Sequence, residues 1–182
     1  MRLPPKGRRM RAAVIRDETA ADWSQIDSLL EQAFGGTYES GLVVRLREAA
    51  LLAVALVAED SGEVVGHIVM SRLPAQVDGR SVRALALAPL AVRGDRQRRG
   101  VGGQLVNAAV ARAGASGAEA IFVLGHPGYY SRFGFSAALA ANIASPFAGP
   151  TFMAFEEVSR SLPGIAGAVV YPPAFDSRAD RH

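Results

Sequence analysis

The run Gln97-Arg98-Arg99-Gly100-Val101-Gly102 carries residue types suited to holding a phosphate. Gly100 and Gly102 let a backbone approach a ligand with no Cβ between them. An alanine-rich helical pattern follows to about Ala115, so both glycines fall at a helix N-terminus, where unpaired N–H groups and partial positive charge attract anions. Successive N–H groups in such a turn form a nest around phosphate oxygens, and Arg98 and Arg99 add charge-assisted contacts. Two familiar phosphate loops are excluded by spacing. A Walker loop needs GxxxxGK and then Ser or Thr, but Gly94 to Gly100 is one residue too long and Val101 stands where Lys is required. A dinucleotide fingerprint needs Gly or Ala at its third position, where Leu105 stands.

The turn needs a strand before it and a strand after its helix. Residues 84–92 form an apolar run interrupted by Pro89, and 120–124 form another. Strand, helix and strand in that order predict a parallel pair. Pro89 cannot donate to a sheet ladder and marks a bulge or a place where the strand parts from its neighbour. Upstream, a short strand is expected at 14–16. A helix is expected to open at Asp22, with Gln25 completing a capping box, and to end at Gly35-Gly36. Trp23, Ile26, Leu29, Leu30 and Phe34 recur at helical spacing, so Trp23 and Phe34 are assigned to the core. A second helical pattern spans 39–50. Strands at 52–58 and 64–70 flank the turn Asp60-Ser61-Gly62 as a hairpin, and Val77-Asp78-Gly79-Arg80 marks another turn. His126-Pro127 starts a short helix that stops at Gly134. Late strands are expected at 151–155 and 168–171, with a helical segment at 157–162 between them. The organisation is a basic tail at 1–11, one domain at 12–175 and a tail at 176–182.

Composition narrows the function. The chain has 182 residues, no cysteine, three scattered histidines and a formal charge of +3. Thiolate chemistry is excluded and no metal site is expected. Arg93 and Arg96 are expected to be solvated. Basic residues are not interleaved with aromatics, which argues against nucleic acid. No apolar run approaches the ~20 residues that cross a bilayer, and no apolar segment follows the basic N-terminus, so a cytoplasmic enzyme is the default.

The Gln-x-x-Gly-x-Gly spacing after Leu90-Ala91-Val92 resembles the acyl-CoA loop of the GNAT N-acetyltransferase superfamily. Tyr129-Tyr130-Ser131-Arg132-Phe133-Gly134-Phe135 is similar to the superfamily's later helix-to-strand junction, with Tyr130 four residues before the Gly-Phe pair. Gly125-His126-Pro127-Gly128 and Val169-Val170-Tyr171-Pro172-Pro173 further resemble a bacterial subgroup of predicted acetyltransferases. The resemblance covers residues 12–175. It implies a mixed, mostly antiparallel central sheet of six to seven strands, flanked by helices, with a splayed parallel pair at the acyl-CoA site. It also implies acetyl-CoA as co-substrate, bound by Leu90, Ala91, Val92, Gln97, Arg98, Arg99, Gly100, Val101, Gly102 and Tyr130, and an amine acceptor that it does not name. A homodimer is one assembly that it leaves open.

The implied reaction is direct attack of a neutral amine on the thioester. The Val92 N–H polarises the carbonyl as an oxyanion donor does, and Tyr130 protonates the departing thiolate. Tyr129 is assigned to packing, and His126 either to the helix start or to the cleft. Many relatives carry a glutamate base on the strand before the loop. Here that strand reads Arg83-Ala84-Leu85-Ala86-Leu87-Ala88 and has no acid, which leaves Glu31, Glu39, His67 or a water chain as base. It also leaves an alternative function, an acyl-CoA-binding module without catalysis.

Overall fold

A computed structural model describes residues 12–156 and 166–176; the helical segment read at 157–162 lies outside the described residues. The strands are β1 (Val14–Asp17), β2 (Leu52–Asp60), β3 (Glu63–Val77), β4 (Arg80–Val92), β5 (Ala120–Leu124), β6 (Ile143–Ala144), β7 (Phe152–Glu156) and β8 (Gly167–Val169). The helices are α1 (Trp23–Phe34), α2 (Tyr38–Glu48), α3 (Val101–Ala115), α4 (Pro127–Tyr130) and α5 (Ala137–Ala140). One sheet runs β1-β2-β3-β4-β5-β7, with β8 beside the far end of β3 and β6 beside β8. Its pairings are antiparallel except β4–β5 and β6–β8. The mixed, mostly antiparallel sheet with one parallel pair at the loop is the expected architecture. The eighth strand of the sheet is β6, whose two residues are too few to leave a periodic signal.

Turn chemistry builds the central meander. Ser61 and Gly62 both have positive φ, at 57° and 85°, and so do Asp78 and Gly79, at 52° and 73°. These are the mirror-image turns whose twist matches that of hairpin strands, and they set Asp60 opposite Glu63 and Val77 opposite Arg80. Helix α3 covers one face of the sheet. Val101, Leu105, Val106, Ala109 and Ala113 are its buried stripe, and Gly66 on β3 lets the helix come close, because a Cβ there would lie 2.9 Å from Leu105 Cδ1. Helices α1 and α2 cover the other face, packing Ile26, Leu30, Val43 and Leu46 against Val57, Val69 and Ala91.

The entry to α1 differs from the sequence expectation. Thr19 and Asp22 form the capping box, around a short 3-10 turn, Ala20–Asp22. Asp22 accepts two hydrogen bonds from Arg16 at 2.8 Å and one from the Thr19 N–H at 2.7 Å. The Arg16 guanidinium and these hydrogen bonds hold its carboxyl far below the usual range. Gln25 caps nothing; its side-chain oxygen accepts the Val64 N–H at 2.9 Å. Trp23 and Phe34 are not core residues, being 45% and 46% exposed. Trp23 is covered by the Arg47 guanidinium, 4.9 Å from its ring centre.

Beneath α2 lies a buried ionic cluster. His67 on β3 is fully enclosed and its Nε2 donates to Glu18 at 2.7 Å. Arg47 Nε donates to the other carboxylate oxygen at 2.8 Å. Burial opposes ionisation of Glu18, but hydrogen bonds from His67 and Arg47 outweigh it and hold the carboxyl at about 2. Removing one partner of a buried pair typically costs about 3–5 kcal/mol, because the other charge is left uncompensated. Glu18→Gln should therefore lose stability of that order in urea unfolding at neutral pH. Since the folded-state value is depressed, the contribution is present above pH 4.5 and lost as pH falls through about 2. The pH-dependent loss of stability across that window should be smaller in the variant than in the wild-type protein.

Candidate active site

Strands β4 and β5 pair in parallel from Ala84 opposite Ala120 to Leu87 opposite Val123, and the pairing ends there. At that point β4 bulges: Ala88 and Pro89 together face Val69, between the pairs Met70–Leu87 and Ile68–Leu90. Proline tolerates this position because it has no N–H to leave unpaired. Beyond the bulge β4 stays on β3, with Ile68, His67 and Gly66 opposite Leu90, Ala91 and Val92. The Arg93 N–H donates to the Val65 carbonyl at 2.9 Å. In an antiparallel ladder, bonded and non-bonded pairs alternate, so Ala91 is bonded to His67. Leu90 and Val92 aim their N–H and C=O groups the other way, into the gap left by β5. The Val92 carbonyl accepts from Gln97 Nε2 at 3.0 Å.

The turn follows. Arg98 and Gly100 have positive φ, at 57° and 85°, so the chain alternates hand as a nest does before α3 begins at Val101. A cavity of about 710 Å³ opens between this turn and the end of β4. Of the residues singled out in the sequence, Leu90, Val92, Gln97, Arg98, Gly100 and Gly102 line it. Ala91 and Val101 do not, because both side chains are buried in the core. Arg99 is exposed and does not line the cavity.

Gly103 and three side chains from the next helical segment complete the wall. Tyr129, Arg132 and Phe133 stand opposite the turn, at the i, i+3, i+4 spacing that puts them on one helical face. The Tyr129 hydroxyl sits so close to α3 that a Cβ on Gly102 would be 2.5 Å from it. The Arg132 guanidinium lies 4.7 Å from the Tyr129 ring centre. The packing assignment of Tyr129 thus misses its hydroxyl, which faces the cavity, and the spacing 129, 132, 133 is the signal that would have found all three. Arg93 and Arg96 are partly exposed, as expected, but both are ion-paired. Arg93 pairs with Asp95 at 2.7 Å and Glu63 at 2.9 Å, and Arg96 pairs with Asp60 at 2.7 Å and Asp95 at 3.0 Å. Those carboxylates hold the loop, while Arg98 and Arg132 reach the cavity.

A second cavity, of about 320 Å³, lies towards α1 and α2. Leu90 lines both cavities. Tyr130 lines the second, with its ring packed against Gly125 so closely that any Cβ there would collide with it. Burial, with some help from Tyr129, pushes the Tyr130 hydroxyl up to about 12, so it keeps its proton at any ordinary pH. Among the base candidates, Glu39 lines this cavity. Glu31 lies outside it and accepts from Ser40 Oγ at 3.3 Å, and His67 is sealed in the ionic cluster with Glu18. His126 belongs to the helix start, where its carbonyl accepts the N–H groups of Tyr129 and Tyr130 at 3.0 and 3.2 Å. Among the described residues, no group of acids and histidines is placed to hold a metal, and no helix is long and apolar enough to cross a membrane.

Known proteins share this fold. Residues 14–138 match the family model of the acetyltransferase (GNAT) domain. The uncharacterised N-acetyltransferase YhbS of Escherichia coli K12 is 34% identical over 166 residues, which is 90% of this chain and 98% of that protein. The crystal structure of E. coli YhbS in complex with CoA superposes with a TM-score of 0.82 at 32% identity, covering 96% of each chain. A GNAT acetyltransferase from Brucella melitensis in complex with acetyl-CoA has a TM-score of 0.74 at 32% identity, over 90% of this chain and 98% of that one. The splayed strand pair, the turn at α3 and these relatives agree, and the chain belongs to the GNAT family of acetyltransferases.

Proposed function

We propose that the protein transfers the acetyl group of acetyl-CoA to an amine by direct attack. The carrying observation is the backbone N–H groups of Leu90 and Val92, turned away from β3 into the gap between the phosphate-type turn and the cavity that holds Glu39 and Tyr130. The pantetheine arm has amides that pair with such groups as an added strand would. The CoA-bound and acetyl-CoA-bound relatives support this use of the cleft. The diphosphate would sit on the N–H groups of residues 97–102, with Arg98 and Arg132 as charged partners. Leu90 and Val92 present N–H groups in the same direction, and Leu90 is where the two cavities meet. We therefore assign the thioester carbonyl to the Leu90 N–H and a pantetheine amide to that of Val92, one residue pair deeper than the sequence expectation.

The chemistry then follows from the second cavity. The acceptor arrives as an ammonium, and Glu39 takes one proton, directly or through a water. The neutral amine attacks the thioester carbon, and the Leu90 N–H bonds the oxygen as negative charge builds there. A C–N bond forms and the C–S bond breaks. Tyr130 gives its proton to the leaving thiolate and recovers one from the nitrogen as the amide forms, so the net product besides amide and CoA thiol is one proton released through Glu39.

Acetyl-CoA should bind the purified protein in calorimetry, and absence of binding at millimolar ligand overturns the proposal. Gly102→Val puts a branched side chain onto Tyr129 Oη. It should weaken acetyl-CoA at least tenfold, the equivalent of about 1.4 kcal/mol, while far-UV dichroism stays unchanged. Tyr130→Phe keeps the ring against Gly125 and removes only the acid. It should lower kcat about 100- to 10,000-fold and leave acetyl-CoA affinity unchanged. An acetyl-transfer rate indifferent to this change would favour the non-catalytic binding reading. With Tyr130 at about 12, kcat at saturating acceptor should show no decline from loss of the acid up to pH 10 (roughly two units below that value, so about 99% of the acid stays protonated).

A further inference from the structure

We infer that the acceptor is an arylalkyl monoamine, a single primary amine on a short chain carrying an apolar aromatic body. The inference rests on the acetyl-transfer reading and deepens it. The second cavity, at about 320 Å³, is at the small end of small-molecule sites, which span about 300–1,000 Å³. Among the described residues lining it, Glu39 is the one charged side chain. The rest of the wall is dominated by rings, with Phe34, Phe147, Tyr171 and Phe175 facing the β4 bulge. Of the tyrosines, Tyr38 is turned to the backbone and Tyr171 is packed among rings. Tyr38 donates its hydroxyl proton to the Phe175 carbonyl at 2.7 Å. Tyr171 is wedged edge-on between Phe147 and Phe175, with ring centres 4.8 and 5.0 Å apart.

This wall discriminates by what it lacks. A polyamine or an aminoglycoside brings several ammonium groups, and each one desolvated without a carboxylate is costly. A sugar brings several hydroxyls, and among the described lining residues only Glu39 and three tyrosines have polar side chains to meet them; unpaired buried polar groups are what drive strong rejection. A single ammonium needs one carboxylate, supplied by Glu39, and aromatic faces attract it further. The body of such an amine then covers Phe34 and Phe147, two large aromatic side chains left exposed at this site.

The test uses the whole chain, acetyl-CoA and a thiol-release assay with phenethylamine, tryptamine, spermidine, kanamycin and glucosamine, beside calorimetry of acetyl-CoA alone. The arylalkylamines should exceed the hydrophilic amines in kcat/KM by about 100-fold or more. Phe34→Ala should raise KM for tryptamine with little change in kcat, and Glu39→Gln should lower kcat/KM for tryptamine at unchanged acetyl-CoA affinity. Preference for spermidine, kanamycin or glucosamine, or no preference among the five, overturns the inference and leaves the acetyl-transfer reading standing. So does acetyl-CoA binding with no arylalkylamine turned over. Failure of acetyl-CoA itself to bind overturns both.

Discussion

One withheld hydrogen-bond ladder organises this protein. A sheet normally pairs every backbone group along both sides of an inner strand, because an unpaired buried donor or acceptor is costly. On β4 that rule holds on the β3 side to the end of the strand, but on the β5 side it stops at Leu87. The bulge at Ala88 and Pro89 makes the departure tolerable, since proline has no donor to orphan. The N–H groups of Leu90 and Val92 are then left for a partner with its own amides, while the Val92 carbonyl is taken by Gln97. A rigid frame is needed to keep the gap from closing. The two tight hairpins on either side of β3 provide it, as does α3 seated on Gly66. On the far side Tyr130 fills the space next to Gly125 that a neighbouring side chain would otherwise occupy.

Charge is distributed to match. The loop before α3 holds four arginines among residues 93–99, which invites the idea of a uniformly basic phosphate cradle. Arg93 and Arg96 are instead used up by Asp60, Glu63 and Asp95, and their role is to fix the loop's path. Only Arg98 from this group lines the cleft, joined by Arg132 from the opposite wall. The ionic cluster of Glu18, His67 and Arg47 does similar structural work under the other face, and it removes His67 from the chemistry by burying it. Among the described residues lining the second cavity, the titratable groups are the Glu39 carboxylate and the hydroxyls of Tyr38, Tyr130 and Tyr171, and Tyr38 is tied to the Phe175 carbonyl.

Much of this was legible in the residues alone. Asp60-Ser61-Gly62 and Asp78-Gly79 announce their turns through the positive φ they demand. Pro89 in an apolar run announces the parting of the strands, and the spacing of Gln97, Gly100 and Gly102 announces the turn. What was missed depends on contacts distant in sequence. Asp22 was read as a helix cap, but its carboxylate is claimed by Arg16 and by Thr19 before it. Trp23 and Phe34 share the helical period of Ile26 and Leu30. Periodicity alone does not tell a side chain facing the sheet from one facing an open cavity or a neighbouring guanidinium. Arg132 was passed over because its value comes from standing across from Arg98, which the chain order does not reveal.

The absence of an acid on β4 and the aromatic wall of the second cavity are two sides of one arrangement. Ala86 and Ala88 line that cavity, and their methyl groups leave the floor shallow and apolar. A glutamate at either position would fill the volume and place a charge among the rings of Phe147, Tyr171 and Phe175, with no cation among the described lining residues to pair it. On the proposed reading, moving the carboxylate to Glu39 on α2 keeps it at the side of the cavity, where it is only partly buried and where an incoming ammonium can neutralise it. The helix pair then carries the base and Phe34, while Phe147, Tyr171 and Phe175 come from the segments after β6 and β8. The strand keeps only the backbone groups that hold the acyl donor. Acceptor choice can change through α1 and α2 without disturbing the ladder on which acetyl-CoA depends.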